Sequence, residues 1–185
     1  MTEHAGVEAL AERAVLRAIE RGATLAVAES LTGGALAAAL VGVPGASAVL
    51  RLGVVAYATE MKGSVLHVPA ALLRERGPVD PEVAVAMARG ARELAAIDRA
   101  ACTIGVATTG VAGPDPQDGH APGEFHVGLE ARVATGRAVS AASRAVDGDR
   151  SAVREAAVRA ALELLLEALD RDDLAPDGPH SGSTP

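Results

Sequence analysis

Short apolar runs alternate with helical patterns along much of the chain, and this alternation restricts the possible folds more than any other feature. Residues 24–28, 48–58 and 101–108 are rich in Ala, Val and Leu and have the length of buried strands. Residues 3–21 and 80–97 carry apolar side chains at helical spacing, and Asp80 is a suitable N-cap for the second of these helices, with a Pro as its first residue. Strands that are separated by helices pair in parallel, so the sequence predicts an α/β domain.

The last part of the chain has a different pattern. Residues 124–133 and 137–146 alternate around Thr135 and Gly136, which predicts a hairpin and makes the sheet mixed. Asp149 then precedes a long helical pattern and is a suitable N-cap for it. We therefore expect helices on both faces of a mixed, mostly parallel sheet.

The length of 185 residues suits one ordinary domain. The helical pattern ends near residue 170, and the remaining segment is rich in Pro, Gly, Ser and Asp. We therefore expect a single three-layer domain over residues 1–170 and a disordered tail over residues 171–185.

Charge and composition exclude several classes of function. The net charge is −7, aromatic residues make up 1% of the chain, and no basic run is present, so we expect no nucleic-acid partner. The longest apolar stretch, residues 35–43, is too short to span a bilayer, so we expect no membrane partner. A single cysteine, Cys102, and no secretory pattern indicate a cytoplasmic protein. No metal-ligand spacing occurs, so we expect no metal and no cofactor.

Lys62 is the only lysine among 17 basic residues, and Tyr57 is the only tyrosine. GC-rich coding explains why lysine and tyrosine are scarce but does not explain why these two remain. An ammonium group can lose its proton when its surroundings lower its pKa, whereas a guanidinium group stays charged. Lys62 is therefore a candidate for a chemical role that arginine cannot fill.

A turn of Ser, Thr and Gly follows the first predicted strand, at the end of the strand where open α/β sheets bind ligands. In one interpretation Ser30 caps the next helix, with Thr32 as its competitor. In the other, Ser30 is a nucleophile, and the amides of residues 31–34 stabilise an oxyanion or bind a phosphate. The chain offers no suitable histidine base, and a neutral Lys62 can take that part if the fold brings it close.

Three further features also allow two interpretations. Tyr57 either packs at the surface or stacks on a substrate ring and donates a hydrogen bond. The segment 109–114 is either a tight turn or an anion-binding nest built from backbone amides and the Thr109 hydroxyl. Arg150 is either solvated or holds a phosphate at the start of the last helix.

Six sequence blocks together resemble one known family, the CinA C-terminal domain family with its PncC-type nicotinamide-nucleotide amidases. The resemblance extends over about residues 5–170 and rests on blocks that occur in the same order, namely residues 28–34, 43–47, 53–57 with Lys62, 109–114, 122–123 and 148–154.

The resemblance implies hydrolysis of the carboxamide of nicotinamide mononucleotide to nicotinate mononucleotide and ammonia, in pyridine nucleotide recycling. It implies a metal-independent α/β domain that self-associates, so we expect a homo-oligomer. It also implies catalytic roles for Ser30 and Lys62, and Tyr57 is our third catalytic candidate. The predicted substrate-binding residues are Thr32, Gly33, Gly34, Thr109, Gly110 and Arg150.

The chain departs from the family pattern at several positions. Leu31 stands where the family usually has Cys, and Ala58 and Thr59 replace Ser and Asn. His120 and Glu124 replace a Lys and a Thr, and an acidic group near a phosphate would weaken substrate binding. Two alternatives therefore stay open: a catalytically silent domain that senses a mononucleotide or binds a partner, and a Ser-Lys hydrolase that acts on a different amide.

Overall fold

The computed structural model describes residues 6–175, which form five strands and six α-helices. The strands are β1 (Leu25–Glu29), β2 (Leu50–Val55), β3 (Ile104–Gly110), β4 (Glu124–Val133) and β5 (Gly136–Ala145). The helices are α1 (Val7–Arg21), α2 (Ala35–Val41), α3 (Thr59–Ser64), α4 (Ala70–Arg76), α5 (Pro81–Leu94) and α6 (Arg150–Leu169). A short 3-10 turn, Ala46–Ala48, precedes β2.

All five strands belong to one sheet in the order β2-β1-β3-β4-β5. Strand β1 pairs in parallel with both β2 and β3, while β3, β4 and β5 pair antiparallel. The predicted mixed α/β fold is confirmed. The parallel part, β2-β1-β3, is the part that places three strand ends side by side at one edge.

The core forms on both faces of the sheet. One cluster joins α1, α2 and α6 to the sheet, and the other joins α5 and the segment after β2 to the opposite face. Helix α5 approaches closely because Gly105 and Gly128 face it: a Cβ at either glycine would collide with the backbone of Ala88 or Ala84. A core made of Ala, Val and Leu thus depends on backbone contact rather than on large aromatic side chains.

Two of the predicted helix starts are confirmed in atomic detail. The Asp80 carboxylate accepts the amide of Glu82 at 2.7 Å, with Pro81 as the first helical residue. The Asp149 carboxylate accepts the amide of Ala152 at 2.9 Å.

The end of the domain lies farther along the chain than the sequence suggested. The Ala134 amide donates to the backbone carbonyl oxygen of Asp173 at 2.9 Å, and the Ala175 amide donates to that of Arg132 at 3.0 Å. Leu174 is buried. Residues 171–175 therefore belong to the fold, because Leu174 covers the end of β4. The rest of the predicted tail, residues 176–185, lies outside the described residues, as do residues 1–5.

Candidate active site

One cleft lies at the edge where the three parallel strands end. Ser30 follows β1, Tyr57 follows β2 by two residues, and β3 ends with Thr109 and Gly110. All four line the cleft, together with Lys62 from α3 and Arg150 from α6. The fold thus brings residues that are up to 120 positions apart in the chain into one site, at the location that open α/β sheets use for ligands.

Lys62 is buried in an unusual way for a lysine. Its side chain is 1% exposed, and its Nζ donates a long hydrogen bond of 3.4 Å to the Ala56 carbonyl oxygen. Among residues 6–175, no carboxylate lies within ion-pair distance of this amine. Because burial disfavours the charged form, the pKa of Lys62 falls from its ordinary value to about 8. A useful fraction of the amine is therefore neutral near physiological pH.

Ser30 does not cap α2. The Glu29 carboxylate takes that role: it accepts the amides of Gly34 at 2.9 Å, Leu36 at 3.1 Å and Ala37 at 2.8 Å. The other predicted cap, Thr32, shares a 2.7 Å hydrogen bond with the Thr108 hydroxyl instead. The capping interpretation of Ser30 is wrong, and its hydroxyl is left at the wall of the cleft.

The turn after Ser30 offers fewer free amides than we predicted. Gly33 donates its amide to the Ser30 carbonyl oxygen at 3.1 Å, and Gly34 donates to Glu29. Neither glycine lines the cleft, nor does Thr32, so the structure does not support substrate contacts by the two glycine amides or by the Thr32 side chain. In the described part of the chain, the amides of Leu31 and Thr32 have no hydrogen-bond partner. Leu31 lines the cleft.

Arg150 and Tyr57 meet at the mouth of the cleft. The Arg150 Nη2 donates to the Tyr57 hydroxyl at 2.9 Å, and its Nη1 donates to the Gly113 carbonyl oxygen at 3.0 Å. The Tyr57 side chain nevertheless stays 61% exposed, so much of its ring is accessible. The residues that line the cleft include two cationic side chains, Lys62 and Arg150, and no carboxylate. Such a cleft favours an anionic ligand.

Thr109 has a structural partner of its own. Its hydroxyl donates to the Pro78 carbonyl oxygen at 2.6 Å and so fixes the segment that carries Pro78 and Val79 on the cleft wall. The hydroxyl oxygen can still accept a hydrogen bond, but its proton is engaged. As part of an anion nest, Thr109 would therefore contribute less than the sequence suggested.

Glu124, the acidic departure from the family pattern, lies outside the cleft. Its Oε1 is 2.9 Å from the His120 Nδ1 and 3.5 Å from the His126 Nε2. The two unusual residues at positions 120 and 124 thus contact each other at the base of the loop. The carboxylate is directed toward the histidines and not toward a ligand in the cleft.

Two residues important to the site escaped the sequence argument, namely Glu29 as the helix cap and Arg154. The Arg154 side chain donates to the carbonyl oxygens of Leu31 and Thr32. Glu29 and Arg154 both lie inside the sequence blocks that carry the family resemblance, and this position is the sequence signal that could have identified them. Among residues 6–175, no group of three or more His, Cys, Asp or Glu side chains could hold a metal ion. No helix in the same range is long and apolar enough to cross a membrane.

The fold and the cleft define an α/β domain with a serine and a buried lysine in one site. The chain belongs to the CinA C-terminal domain family, whose model matches residues 7–169. It is 48% identical, over 82% of its length, to a CinA-like protein of Frankia casuarinae. It is 39% identical, over 89% of its length, to a putative competence-damage inducible protein of Geobacillus kaustophilus. The chain spans only 33% and 38% of these two relatives.

Solved structures show the same fold. A CinA superfamily protein from Klebsiella pneumoniae aligns with a TM-score of 0.80 and 32% identity, covering 89% of this chain and 98% of that protein. The competence/damage inducible protein CihA from Agrobacterium tumefaciens aligns with a TM-score of 0.79 and 35% identity, covering 92% of this chain and all of that protein. The mixed three-layer domain is therefore the fold of this superfamily.

Proposed function

We propose that the protein hydrolyses the carboxamide of nicotinamide mononucleotide to nicotinate mononucleotide and ammonia. The observation that supports this most strongly is Lys62, a buried amine with a pKa of about 8 and no carboxylate partner among the described residues, in the same cleft as Ser30. A structural lysine of this kind would be costly to bury. A general base with a pKa near the working pH is what the attack of a serine hydroxyl requires.

In the proposed reaction, Lys62 takes the Ser30 proton as Oγ attacks the carboxamide carbon. The Lys62 ammonium then donates this proton to the amide nitrogen as the carbon-nitrogen bond breaks, so that the nitrogen leaves as ammonia. Water, activated by the neutral amine, hydrolyses the acyl-enzyme ester and releases the carboxylate product. In this proposal the oxyanion is stabilised by the amide of Leu31, which follows the nucleophile, lines the cleft and has no hydrogen-bond partner among the described residues.

The charges of the cleft support a substrate that carries a phosphate. Arg150 has a guanidinium group whose remaining N–H donors suit phosphate oxygens, and no acidic side chain lines the cleft to repel them. The exposed ring of Tyr57 beside Arg150 offers a face for the pyridine ring. These features favour a mononucleotide over a small neutral amide.

The test is ammonia release from nicotinamide mononucleotide by the purified protein and by three variants. We expect release by the wild-type protein and about a hundredfold or greater loss in Ser30→Ala and Lys62→Arg. Ser64→Ala, a change on the same short helix but outside the cleft, is the control and should keep full activity.

Mass spectrometry provides the second readout. Protein quenched during turnover should carry the nicotinoyl-nucleotide mass on the peptide that contains Ser30. Ammonia release by Lys62→Arg at the wild-type rate would contradict the mechanism. Thermal stabilisation by nicotinamide mononucleotide without any ammonia would contradict hydrolysis and favour a mononucleotide sensor. Ammonia release from a different amide, but not from nicotinamide mononucleotide, would contradict the proposed substrate and keep the Ser-Lys chemistry.

A further inference from the structure

We propose that Glu29 and Arg154 are positioning residues that fix the turn after Ser30 so that the amides of Leu31 and Thr32 face the reacting carbonyl oxygen. This inference rests on the proposed function of the cleft. It goes beyond it by assigning roles to two side chains that do not line the cleft themselves.

Glu29 holds the turn from the side of helix α2. It is the last residue of β1 and is fully buried, and within the described residues its carboxylate has no cationic partner. Three backbone amides supply its charge compensation instead, at 2.8 to 3.1 Å. Charge-assisted hydrogen bonds to a helix N-terminus are strong, so the carboxylate fixes where α2 begins relative to Ser30.

Arg154 holds the turn from the side of helix α6. Its Nε donates to the Leu31 carbonyl oxygen at 3.1 Å, and its Nη2 donates to the Thr32 carbonyl oxygen at 2.6 Å. In a trans peptide the N–H points opposite to the C=O. Because Arg154 holds the Leu31 carbonyl, it turns the N–H of the same peptide unit, which belongs to Thr32, away from α6.

The consequence is a pair of amides without partners in a buried turn. Leu31 is 4% exposed and Thr32 is fully buried, yet neither amide is hydrogen-bonded within residues 6–175. Buried unpaired N–H groups are rare and costly, and in an acyl-transfer site they are suited to receive a developing oxyanion. The neighbouring amides of Gly33 and Gly34 are already engaged, so the free pair is limited to the two residues that follow Ser30.

Two pairs of matched variants test this. Glu29→Gln keeps the size of the side chain but exchanges one acceptor oxygen for a donor nitrogen, which faces backbone donors. Glu130→Gln is its control, because Glu130 is equally buried but lies outside the cleft. Arg154→Lys keeps the charge and removes the two-pronged geometry, and Arg92→Lys makes the same change at another arginine that binds a carbonyl, outside the cleft.

The readouts are kcat and KM for ammonia release and the rate at which an aryl fluorophosphonate labels Ser30, each corrected for the folded fraction. We expect Glu29→Gln and Arg154→Lys to lower kcat and the labelling rate about tenfold or more, with KM changed less than about threefold. Arg154→Lys keeps the test decisive if Glu29→Gln fails to fold. Both controls should lose thermal stability only.

Unchanged kcat and labelling in a folded Arg154→Lys or Glu29→Gln protein would overturn this inference and leave the proposed function intact. Equal losses in the controls would also overturn it, because the effect would then be one of general stability. Wild-type protein that neither releases ammonia nor labels at Ser30 would overturn the proposed function and the inference together.

Discussion

Lys62 and Glu130 are both buried ionisable side chains, and the protein surrounds them differently. Glu130 on β4 is fully buried and contacts three arginines: Arg89 at 2.7 Å, Arg92 at 3.2 Å and Arg137 at 3.9 Å. Lys62 is 1% exposed and, within the described residues, contacts one carbonyl oxygen at 3.4 Å and no acid.

Under the proposed function, this difference separates a structural site, Glu130, from a chemical one, Lys62. A buried charge that serves the fold is surrounded by opposite charges, which keep it ionised. Lys62 lacks such partners, so burial lowers its pKa and makes the neutral amine accessible. We therefore expect changes at Lys62 to affect activity most and changes at Glu130 to affect stability most.

The largest effect is expected for Lys62→Met. Loss of the base should lower ammonia release by about a hundredfold or more. The same change should raise the free energy of unfolding at pH 7 by about 1 to 3 kcal/mol, because an apolar side chain avoids burial of a charge. Urea denaturation and an ammonia assay on one protein batch measure both effects. A variant that is both active and less stable would contradict the separation.

Glu130→Gln should show the opposite result. Arg92 is 7% exposed and would lose its carboxylate partner. We therefore expect the free energy of unfolding to fall by about 3 kcal/mol. The value of kcat per folded molecule should stay within about twofold of the wild type, since Glu130 does not line the cleft. A large loss of kcat in folded protein would show that the two regions are coupled.

The pH dependence of activity follows from the lowered pKa of Lys62. With a pKa of about 8, roughly one tenth of the amine is neutral at pH 7, so kcat/KM should rise about tenfold from pH 7 to a plateau above the pKa. A rate that is flat between pH 6 and about 9 would contradict a lysine base.

The free energy of unfolding should also depend on pH because of the Lys62 amine. Between pH 8, which is about the pKa of Lys62 in the folded protein, and pH 10.5, its ordinary pKa, the unfolded chain binds a proton at Lys62 that the folded chain does not. The free energy of unfolding therefore rises with pH between these two values. Below about pH 8 the amine is charged in both states, and the full cost of burying the charge destabilises the folded protein. The difference in unfolding midpoints between the wild type and Lys62→Met should shrink from pH 7.5 to about 10.

The smallest effect is expected at Glu124. Because its carboxylate contacts His120 and His126 and does not line the cleft, Glu124→Thr should change KM by less than about twofold. Steady-state assays with nicotinamide mononucleotide measure this. A tenfold or greater fall in KM would show that the acid does repel the substrate, as the sequence alone suggested.

Local patterns in the sequence predicted most of the fold. The caps at Asp80 and Asp149 and the position of Ser30 at a strand end depend on neighbouring residues, and the structure confirms all three. The lone lysine and its distance from the tyrosine also pointed to the cleft. Periodicity and turn chemistry suffice for such features because their causes lie within a few residues.

Contacts made over long distances could not be predicted in the same way. The rule for N-caps favoured Ser30 or Thr32. Instead the buried Glu29 carboxylate, at the end of β1, accepts backbone amides at the start of α2, which compensate its negative charge. Arg154 contacts a turn 122 residues earlier in the chain. Leu174 fits the end of β4, although the composition around it indicated disorder. Each of these depends on tertiary packing, which a pattern along the chain does not contain.

The pKa of the Lys62 amine can be measured directly because the chain has one lysine. Protein labelled with 13C at the lysine ε-carbon should give a single side-chain NMR signal, and its shift can be followed from pH 6 to about 11. If burial lowers the pKa of Lys62 as described, the midpoint lies near 8 and matches the pH at which kcat/KM reaches half its plateau. A midpoint at 10 or above would contradict it.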